Sequence, residues 1–369
     1  MQTNLQIALQ ALIVGFIITL AVVTGFAYTT LLERKLLARL QHRVGPNRAG
    51  YIPIPRRGKG ERKLLAGFLQ PLADAIKLFF KEDATPGRVD KAVYNLAPML
   101  AVMTAIMILA VIPWAGEMSI FGVEFSPYFA IAPGLNVAVL FILAITSIGV
   151  YGVVLGGWAS NSKYAVMGGI RASAQMVSYE LTMALSIIPV IMMSNSMDMG
   201  VIVSSQSKLW FAFIQPLAAI IFFIAILAEL ERSPFDLLEA EQELASGFNV
   251  EYGGMRFGMF FMAEYMKMVS FSAIFAVIFL GGYKGPFVDD VPALGFLYTF
   301  MKIVFCLFLM IWIRATLPRL RYDRLMDFGW KRLLPIALVT VVITAVFIVL
   351  SEEGVWEPLF DSMFSALPF

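Results

Sequence analysis

Cysteine and histidine, the side chains that bind zinc, haem and iron–sulfur clusters, are nearly absent from this chain of 369 residues. It contains one cysteine, Cys306, and one histidine, His42. A disulfide framework needs paired cysteines, and protein-bound iron–sulfur clusters, bis-histidine haems and zinc sites need several cysteine or histidine ligands. The sequence therefore predicts no metal site and no redox centre in this chain, and any such cofactor is expected in another chain.

Charge is also scarce, because only 15% of the residues are charged whereas 59% are hydrophobic. Soluble domains average about 25% charged and about 45–50% apolar residues. This balance predicts a membrane protein. The sequence also lacks a glycine-rich phosphate loop, a Walker motif and a nucleophile elbow, so nucleotide and acyl chemistry are disfavoured, and no nucleic-acid partner is expected.

Long apolar runs are what the chain has in abundance. A helix that crosses a bilayer needs about 20 mostly apolar residues, and eight segments fit. They run from Leu5 to Leu32, Leu96 to Pro113, Leu135 to Trp158, Ala174 to Met193, Trp210 to Ala228, Phe257 to Leu280, Leu294 to Ile313 and Leu334 to Leu350. The first has no basic segment before it and no small-residue cleavage pattern after it, which favours a retained span over a signal peptide.

Basic residues alternate between the predicted loops. The odd-numbered loops, residues 33–95, 159–173, 229–256 and 314–333, hold 24 of the 28 lysines and arginines. Positively charged loops face the cytoplasm, so both termini are expected on the outer side. We therefore predict an all-α, polytopic fold in which residues 1–369 form a single transmembrane domain. No internal repeat is visible, which counts against a secondary transporter.

The first loop contains a predicted amphipathic helix at 67–81, with the sequence GFLQPLADAIKLFFK. Gln70, Asp74, Lys77 and Lys81 share one helical face, and apolar side chains fill much of the rest. This pattern is typical of a helix lying in the membrane interface. Two interpretations stay open: a lipid anchor, or a helix whose Asp74 and Lys77 line an opening into the protein.

Two basic segments precede that helix. LLERKLLARLQHRVGPNRAG places Glu33, Arg34 and Lys35 at the cytoplasmic end of the first span, with His42 and Arg43 further on. Such a run is usually a solvated, phospholipid-facing cluster. The second segment, IPRRGKGERK, carries no recognisable chemistry and suits anionic lipid or an acidic neighbouring protein.

Two carboxylates, Glu180 and Glu264, lie inside apolar spans. Burying a charge in hydrocarbon is costly, so intramembrane acids are functional candidates by default. Lys267, three residues after Glu264, is the expected local partner. The alternative is a buried ion pair that only holds the bundle together.

The fifth predicted loop, AELERSPFDLLEAEQELASGFNVEYGGMRF, is acidic although its position predicts a basic one. If the segment from Asp236 is helical, Asp236, Glu239 and Glu243 share one face, with Glu241 turned away. From chemistry alone the loop suits, in this order, a solvated surface, a proton relay and a hard-cation site. Its acids are Glu229, Glu231, Asp236, Glu239, Glu241, Glu243 and Glu251.

Taken together, these segments resemble one family, the H-type membrane subunits of bacterial complex I, the proton-translocating NADH:quinone oxidoreductase. The mitochondrial counterpart is the first mitochondrially encoded complex I protein. The resemblance covers nearly the whole chain. It rests on LERKLLARLQHRVGPNRAG, QPLADAIKLFFKED, GWASNSKYAVMGGIRASAQMVSYE, RSPFDLLEAEQELASGFNVEY, FFMAEY and IRATLPRLRYDRLMDFGWK, in this order.

The resemblance implies a subunit without redox centres that closes a quinone-access tunnel, with FMN and iron–sulfur clusters in partner subunits. It implies tunnel positions at Glu33, Arg34, Lys35, Arg43 and Asp74, to which Lys77 is added from its place on the helix face. It implies an acidic relay of Glu180, Glu229, Arg232, Asp236, Glu239, Glu241, Glu243, Glu251 and Glu264. Arg171, Arg314, Arg319 and Arg321 match positions that support the cavity.

The implied partners are quinone, anionic lipid, the other membrane-arm subunits and the quinone-site subunits of the peripheral arm. The implied location is the bacterial cytoplasmic membrane, in preference to the mitochondrial inner membrane. Three features depart from the pattern: Glu231 adds a carboxylate, Leu238 replaces a frequent proline, and residues 52–63 form an insertion. The rival interpretations are the same type of protein in a ferredoxin-fed or hydrogenase-linked complex, and a stand-alone cation or proton transporter.

Overall fold

The computed structural model describes residues 4–50, 52–54, 62–64, 67–83, 85–87, 89–120, 123–125, 128–236, 247–288 and 291–352. Its helices are α1 (Asn4–Leu40), α2 (Gln70–Phe80), α3 (Lys91–Met107), α4 (Ala138–Ala159), α5 (Lys163–Ser194), α6 (Met199–Ser205), α7 (Phe211–Ile214), α8 (Pro216–Glu229), α9 (Gly254–Phe279), α10 (Leu294–Thr316), α11 (Tyr322–Phe328) and α12 (Leu334–Glu352). A 3-10 turn at Ile108–Val111 extends α3, a second lies at Gly247–Asn249, and a π-helical turn at Gly329–Leu333 joins α11 to α12.

Two short antiparallel hairpins accompany the helices. Strands β1 (Ile52–Ile54) and β2 (Arg62–Leu64) pair within the predicted insertion, and β3 (Met118–Ile120) pairs with β4 (Val123–Phe125) between α3 and α4. Neither sheet has more than two strands. The predicted all-α, polytopic fold is confirmed, and the predicted amphipathic helix corresponds to α2.

Among the described residues, seven helices are long and apolar enough to cross a membrane. They are Val14–Leu40, Lys91–Val111, Ala138–Ala159, Lys163–Ser194, Gly254–Phe279, Leu294–Thr316 and Tyr322–Leu350. Each contains or overlaps one of the eight predicted spans. The remaining prediction, the span from Trp210 to Ala228, corresponds to a shorter, broken helix.

That break lies between α7 and α8, where Gln215 leaves the helical conformation at φ −123° and ψ 59°. Pro216 follows it, and a proline disfavours helical backbone at the preceding residue. Helix α8, with 14 residues, is about 21 Å long. Gln215 contacts Met193 at the end of α5, and Gln175 near the start of α5 donates to the Ala228 carbonyl. Helix α8 therefore runs antiparallel to α5.

Several helices continue beyond the apolar segments that predicted them. Helix α1 runs on to Leu40 and so carries Glu33, Arg34 and Lys35, while α5 begins at Lys163 and carries Arg171. Apolar composition marks the part of a helix that lies in hydrocarbon, whereas the helix ends where its backbone hydrogen bonding ends. Charged residues predicted in loops therefore stand on rigid helices.

Helix α9 forms the centre of the bundle, with every residue from Tyr265 to Phe279 buried. Outer helices instead expose apolar side chains: Phe16 is 70% exposed on α1, Phe300 62% on α10 and Val342 60% on α12. Apolar side chains on the outside and polar ones inside are the arrangement that lipid requires.

Candidate functional site

A buried carboxylate, Glu33, is held by groups from three other parts of the chain. Its side chain forms an ion pair with Arg314 of α10 and lies 3.5 Å from Nη1 of Arg232, which follows α8. The Tyr265 hydroxyl of α9 donates to Oε2 of Glu33 at 2.7 Å. Arg232 in turn reaches Oε1 of Glu264 at 2.8 Å and lies over the Tyr265 ring, 4.4 Å from its centroid. We name these five residues the Glu33 cluster.

The cluster pairs buried charges whose removal from water is costly. Glu33 is 4% exposed and Arg232 is 5% exposed. A buried ion is tolerated only when it is paired and hydrogen-bonded. Because the partners come from residues 33, 232, 264, 265 and 314, the bundle must close before any of them is satisfied.

Next to the Glu33 cluster lies a cavity with an acidic lining, here called the acidic cavity. Glu229, Glu231, Glu264, Lys267 and Asn249 contribute its polar groups. Its volume is about 60 Å³. Its apolar walls include Phe248, Phe257, Phe260 and Phe261. Glu264 belongs to both the cavity and the cluster, so the two sites are continuous.

Glu180, the other intramembrane acid, stands on α5 and contacts α4. Its Oε1 accepts hydrogen bonds from Ser147 and, at 3.1 Å, from Thr146. It also interacts electrostatically with Glu229 of the acidic cavity. Two predicted relay residues far apart in sequence therefore lie within one another's electrostatic reach.

The segment after α8 is anchored by Asp236 and by backbone carbonyls that precede it. This aspartate is 2% exposed and forms an ion pair with Arg319 at 3.0 Å. The Gln175 amide donates to the carbonyls of Ala228 and Phe235, at 2.8 and 3.1 Å. The predicted relay residues Glu239, Glu241 and Glu243 lie outside the described residues.

Tyr94 of α3 stacks on Tyr252, which lies just before α9. The rings of Tyr94 and Tyr252 are 4.1 Å apart and nearly parallel, and the Tyr94 hydroxyl donates to the backbone carbonyl of Glu251. Burial raises the pKa of Tyr252, so its hydroxyl stays a neutral donor to the Tyr94 carbonyl at 3.2 Å. These contacts fix the backbone at the predicted relay residue Glu251.

Helix α2 is tied to the bundle at two points. Asp74 accepts from Arg34 of α1 at 2.7 Å and from Gln70 at 3.0 Å. Just beyond the helix, Asp83 forms an ion pair with Arg256 of α9 at 3.0 Å. Tunnel candidates Arg34 and Asp74 are thus in direct contact.

Between these ties, α2 exposes an apolar face. Leu72 is 57% exposed, Ile76 51%, Phe79 74% and Phe80 84%. An exposed apolar helix face beside spanning helices is typical of a membrane-interface segment. Lys77 and Arg43 are both exposed, and Arg43 donates to Gln41 at 2.8 Å.

The four candidate support arginines divide into two groups. Arg314 and Arg319 contact the site carboxylates Glu33 and Asp236 directly. Arg171 lies over the Tyr322 ring, 5.7 Å from its centroid, and lines a separate cleft with Arg321. Arg321 pairs with Asp323 at 3.3 Å. Arg314 and Arg319 thus contact site carboxylates, whereas Arg171 and Arg321 lie together at the separate cleft.

The prediction that Lys267 pairs with Glu264 was wrong, because Arg232 occupies that role. Tyr265 was not predicted, although it follows Glu264 directly. Its role depends on Glu33, 232 residues away, and no local pattern signals such a contact. Within the described part of the chain, no group of three or more potential metal ligands occurs.

Fold and site together define a class: a polytopic helical membrane protein whose buried carboxylates and arginines form a continuous polar site inside the bundle. The chain belongs to the NADH dehydrogenase family, whose model matches residues 13–345, and within it to the H-type subunits of NADH:quinone oxidoreductase, complex I. Its partners are therefore other complex I subunits, and the predicted family resemblance is confirmed.

Curated relatives support this assignment. The chain is 47% identical over 322 residues to the NADH-quinone oxidoreductase H-type subunit 2 of Syntrophobacter fumaroxidans, covering 87% of this chain and 91% of the relative. It is 45% identical over 338 residues to the H-type subunit of Syntrophotalea carbinolica, covering 92% and 94%. It is 42% identical over 349 residues to the H-type subunit 1 of Cytophaga hutchinsonii, covering 92% and 97%.

Proposed function

We propose that this protein forms the quinone-access tunnel of its complex and the carboxylate relay that couples quinone reduction to proton translocation. The supporting observation is the continuity of the Glu33 cluster with the acidic cavity through Glu264. Quinone is the substrate, and FMN and iron–sulfur clusters in partner subunits supply the electrons.

Coupling in this proposal is electrostatic. Reduction of quinone adds negative charge, and uptake of protons then neutralises it. Inside a low-dielectric bundle such a change acts strongly on neighbouring ionised groups. Because clustered carboxylates share protons, a change at the Glu33 cluster passes to Glu229 and Glu180. The relay also includes Arg232, Asp236, Glu239, Glu241, Glu243 and Glu251, with Arg171, Arg314, Arg319 and Arg321 in support.

The tunnel entrance is assigned to α2 and the end of α1. The exposed apolar face of α2 and its polar tie to Arg34 support a helix that admits an apolar tail and orients a polar head group. Glu33, Arg34, Lys35, Arg43, Asp74 and Lys77 are the proposed tunnel residues.

The proposed location is the bacterial cytoplasmic membrane, with both termini on the outer side. Support comes from the basic loops, which favour the cytoplasmic side. Anionic lipid head groups suit the same loops, since each lysine or arginine near an anionic surface contributes about 1 kcal/mol.

Asp74 tests the tunnel. Asp74→Asn in the intact complex removes the charge that fixes Arg34. We therefore expect the KM for quinone to rise by about threefold to tenfold with little change in kcat, because a variant that only weakens substrate binding raises KM without slowing the chemical step. NADH:quinone reductase assays over a quinone concentration series measure this. The exposed pair of Asp327 with Lys331 supplies the matched control, Asp327→Asn. An unchanged KM in Asp74→Asn contradicts the tunnel assignment.

Glu180 tests the relay. Glu180→Gln keeps the side-chain shape and the acceptor for Thr146 and Ser147 but removes the titratable group. We expect quinone reduction and proton pumping to fall together by about tenfold or more, in the range of lost acid–base catalysis. Reductase assays and acidification of proteoliposomes measure the two rates, with Asp323→Asn as an exposed control. Full activity in both assays rules Glu180 out of the relay, and Glu241→Gln is tested in the same way.

A further inference from the structure

A buried lysine lines the acidic cavity without forming an ion pair with Glu264. Lys267 lies on α9 and is 7% exposed. Burying an ammonium group to this degree costs free energy unless an opposite charge lies nearby. The position of Lys267 therefore needs a counter-charge inside the bundle.

The ammonium lies where α9 meets α3 and α4. A Cβ built on Gly149 of α4 would lie 3.0 Å from Nζ of Lys267 and 3.3 Å from Oγ1 of Thr104. The Thr104 hydroxyl already donates within its own helix, to the carbonyls of Leu100 and Ala101. Gly149 thus leaves room beside Nζ, because a methyl group there would push the ammonium aside by a few tenths of an ångström.

Glu229 is the candidate for the complementary charge. It lines the same cavity, is 2% exposed, and its Oε2 has no hydrogen-bond partner among the described residues. Two charged groups act on it: the ammonium of Lys267 attracts the carboxylate, and Glu180 repels it. Glu231 and Glu264 line the remaining cavity.

We infer that Lys267 is a positioning residue of the acidic cavity, whose ammonium balances the charge of Glu229 against that of Glu180. This inference rests on the proposed relay and adds a cation to it. In this part of the relay, Glu229 is attracted by the ammonium of Lys267 and repelled by the carboxylate of Glu180. A proton gained or lost at Glu180 therefore changes the net electrostatic effect on Glu229.

A double-mutant cycle in the intact complex tests this pairing. Lys267→Met keeps the length of the side chain but leaves Glu229 unbalanced, so we expect a lower thermal unfolding temperature and a fall in quinone reduction and pumping of about tenfold. Lys267→Met combined with Glu229→Gln should regain the unfolding temperature, since it removes both opposite charges from the cavity together. It should not regain pumping. Lys267→Arg, which keeps the charge, should retain at least about half of the activity.

Lys302→Met is the matched control. Lys302 is a second lysine within a spanning helix, and its Nζ donates to the carbonyls of Gly282 and Lys284. Its replacement should lower the unfolding temperature without rescue by Glu229→Gln. The inference is overturned if Lys267→Met is fully active, or if the double variant is no more stable than Lys267→Met alone.

Gly149→Ala provides a second route if the Lys267→Met complex does not assemble. The added methyl shifts Nζ by a few tenths of an ångström, so activity should fall measurably, whereas Gly25→Ala, with no neighbouring atom within 4 Å of the added carbon, should be unaffected. Equal activity of the two glycine variants overturns the inference. Failure of the relay can be distinguished from failure of this inference. Intact pumping in Glu180→Gln contradicts the relay, whereas the regained unfolding temperature with Glu229→Gln measures the charge balance independently of pumping.

Discussion

Replacement of Glu33 by glutamine is expected to lower the free energy of unfolding by about 3–5 kcal/mol, the usual cost of leaving a buried charge without its partner. Arg232 and Arg314 both lose their shared counter-charge, and Arg232 is itself almost fully buried. We therefore expect little assembled complex. The yield of purified complex and its thermal unfolding temperature measure the effect.

Two further variants test whether the loss comes from the buried charge of Glu33. Asp327→Asn removes an exposed carboxylate and should change the free energy of unfolding by less than about 0.5 kcal/mol. Glu33→Gln combined with Arg314→Gln removes one of the uncompensated cations and should regain part of the stability. A stable Glu33→Gln complex would show that the arginines find other counter-charges.

Gly157→Ala is expected to destabilise the protein by about 3 kcal/mol through overpacking. Helices α4 and α5 cross where Gly157 faces Gly169, and a Cβ on Gly157 would lie 2.5 Å from the backbone oxygen of Ala165. Backbone cannot move aside as a flexible side chain can. Small residues at such crossings let spanning helices approach closely.

The stability loss should appear as a lower unfolding temperature of the purified complex. Gly25→Ala is the matched control, because it adds the same methyl to a spanning helix with no atom within 4 Å. Its unfolding temperature should equal that of the unchanged protein or exceed it slightly, since alanine is the better helix former. Equal behaviour of both variants would mean that α4 and α5 can separate without cost.

The spans and the amphipathic helix were predictable because apolar composition and periodicity are local properties. The ends of the helices were less predictable. Helices α1 and α5 continue into charged sequence, where hydropathy no longer indicates a helix. Pro216 is visible in the sequence, and it breaks the fifth span. The short α6 and the two hairpins are too short for apolar composition or periodicity to predict them.

The sequence predicted which residues form the site better than it predicted which of them contact one another. Glu180 and Glu264 stand out because a carboxylate in an apolar helix is unusual. The chosen partner of Glu264 was wrong because spacing of three residues suggests a local pair, whereas Arg232 arrives from another segment. Tyr265 and Lys267 gain their roles only from residues on other helices.

The sequence by itself determined that this is a polytopic membrane protein of the complex I family of H-type subunits, and it predicted the basic loops and the acids that break the apolar pattern. Tertiary structure alone decided which charges meet. Glu33, Arg232, Glu264 and Arg314 come from four separate segments, and each is tolerable in the bundle only when the others are in place. The physical reason is that burying a charge is costly locally and can be offset only by a partner that folding brings near.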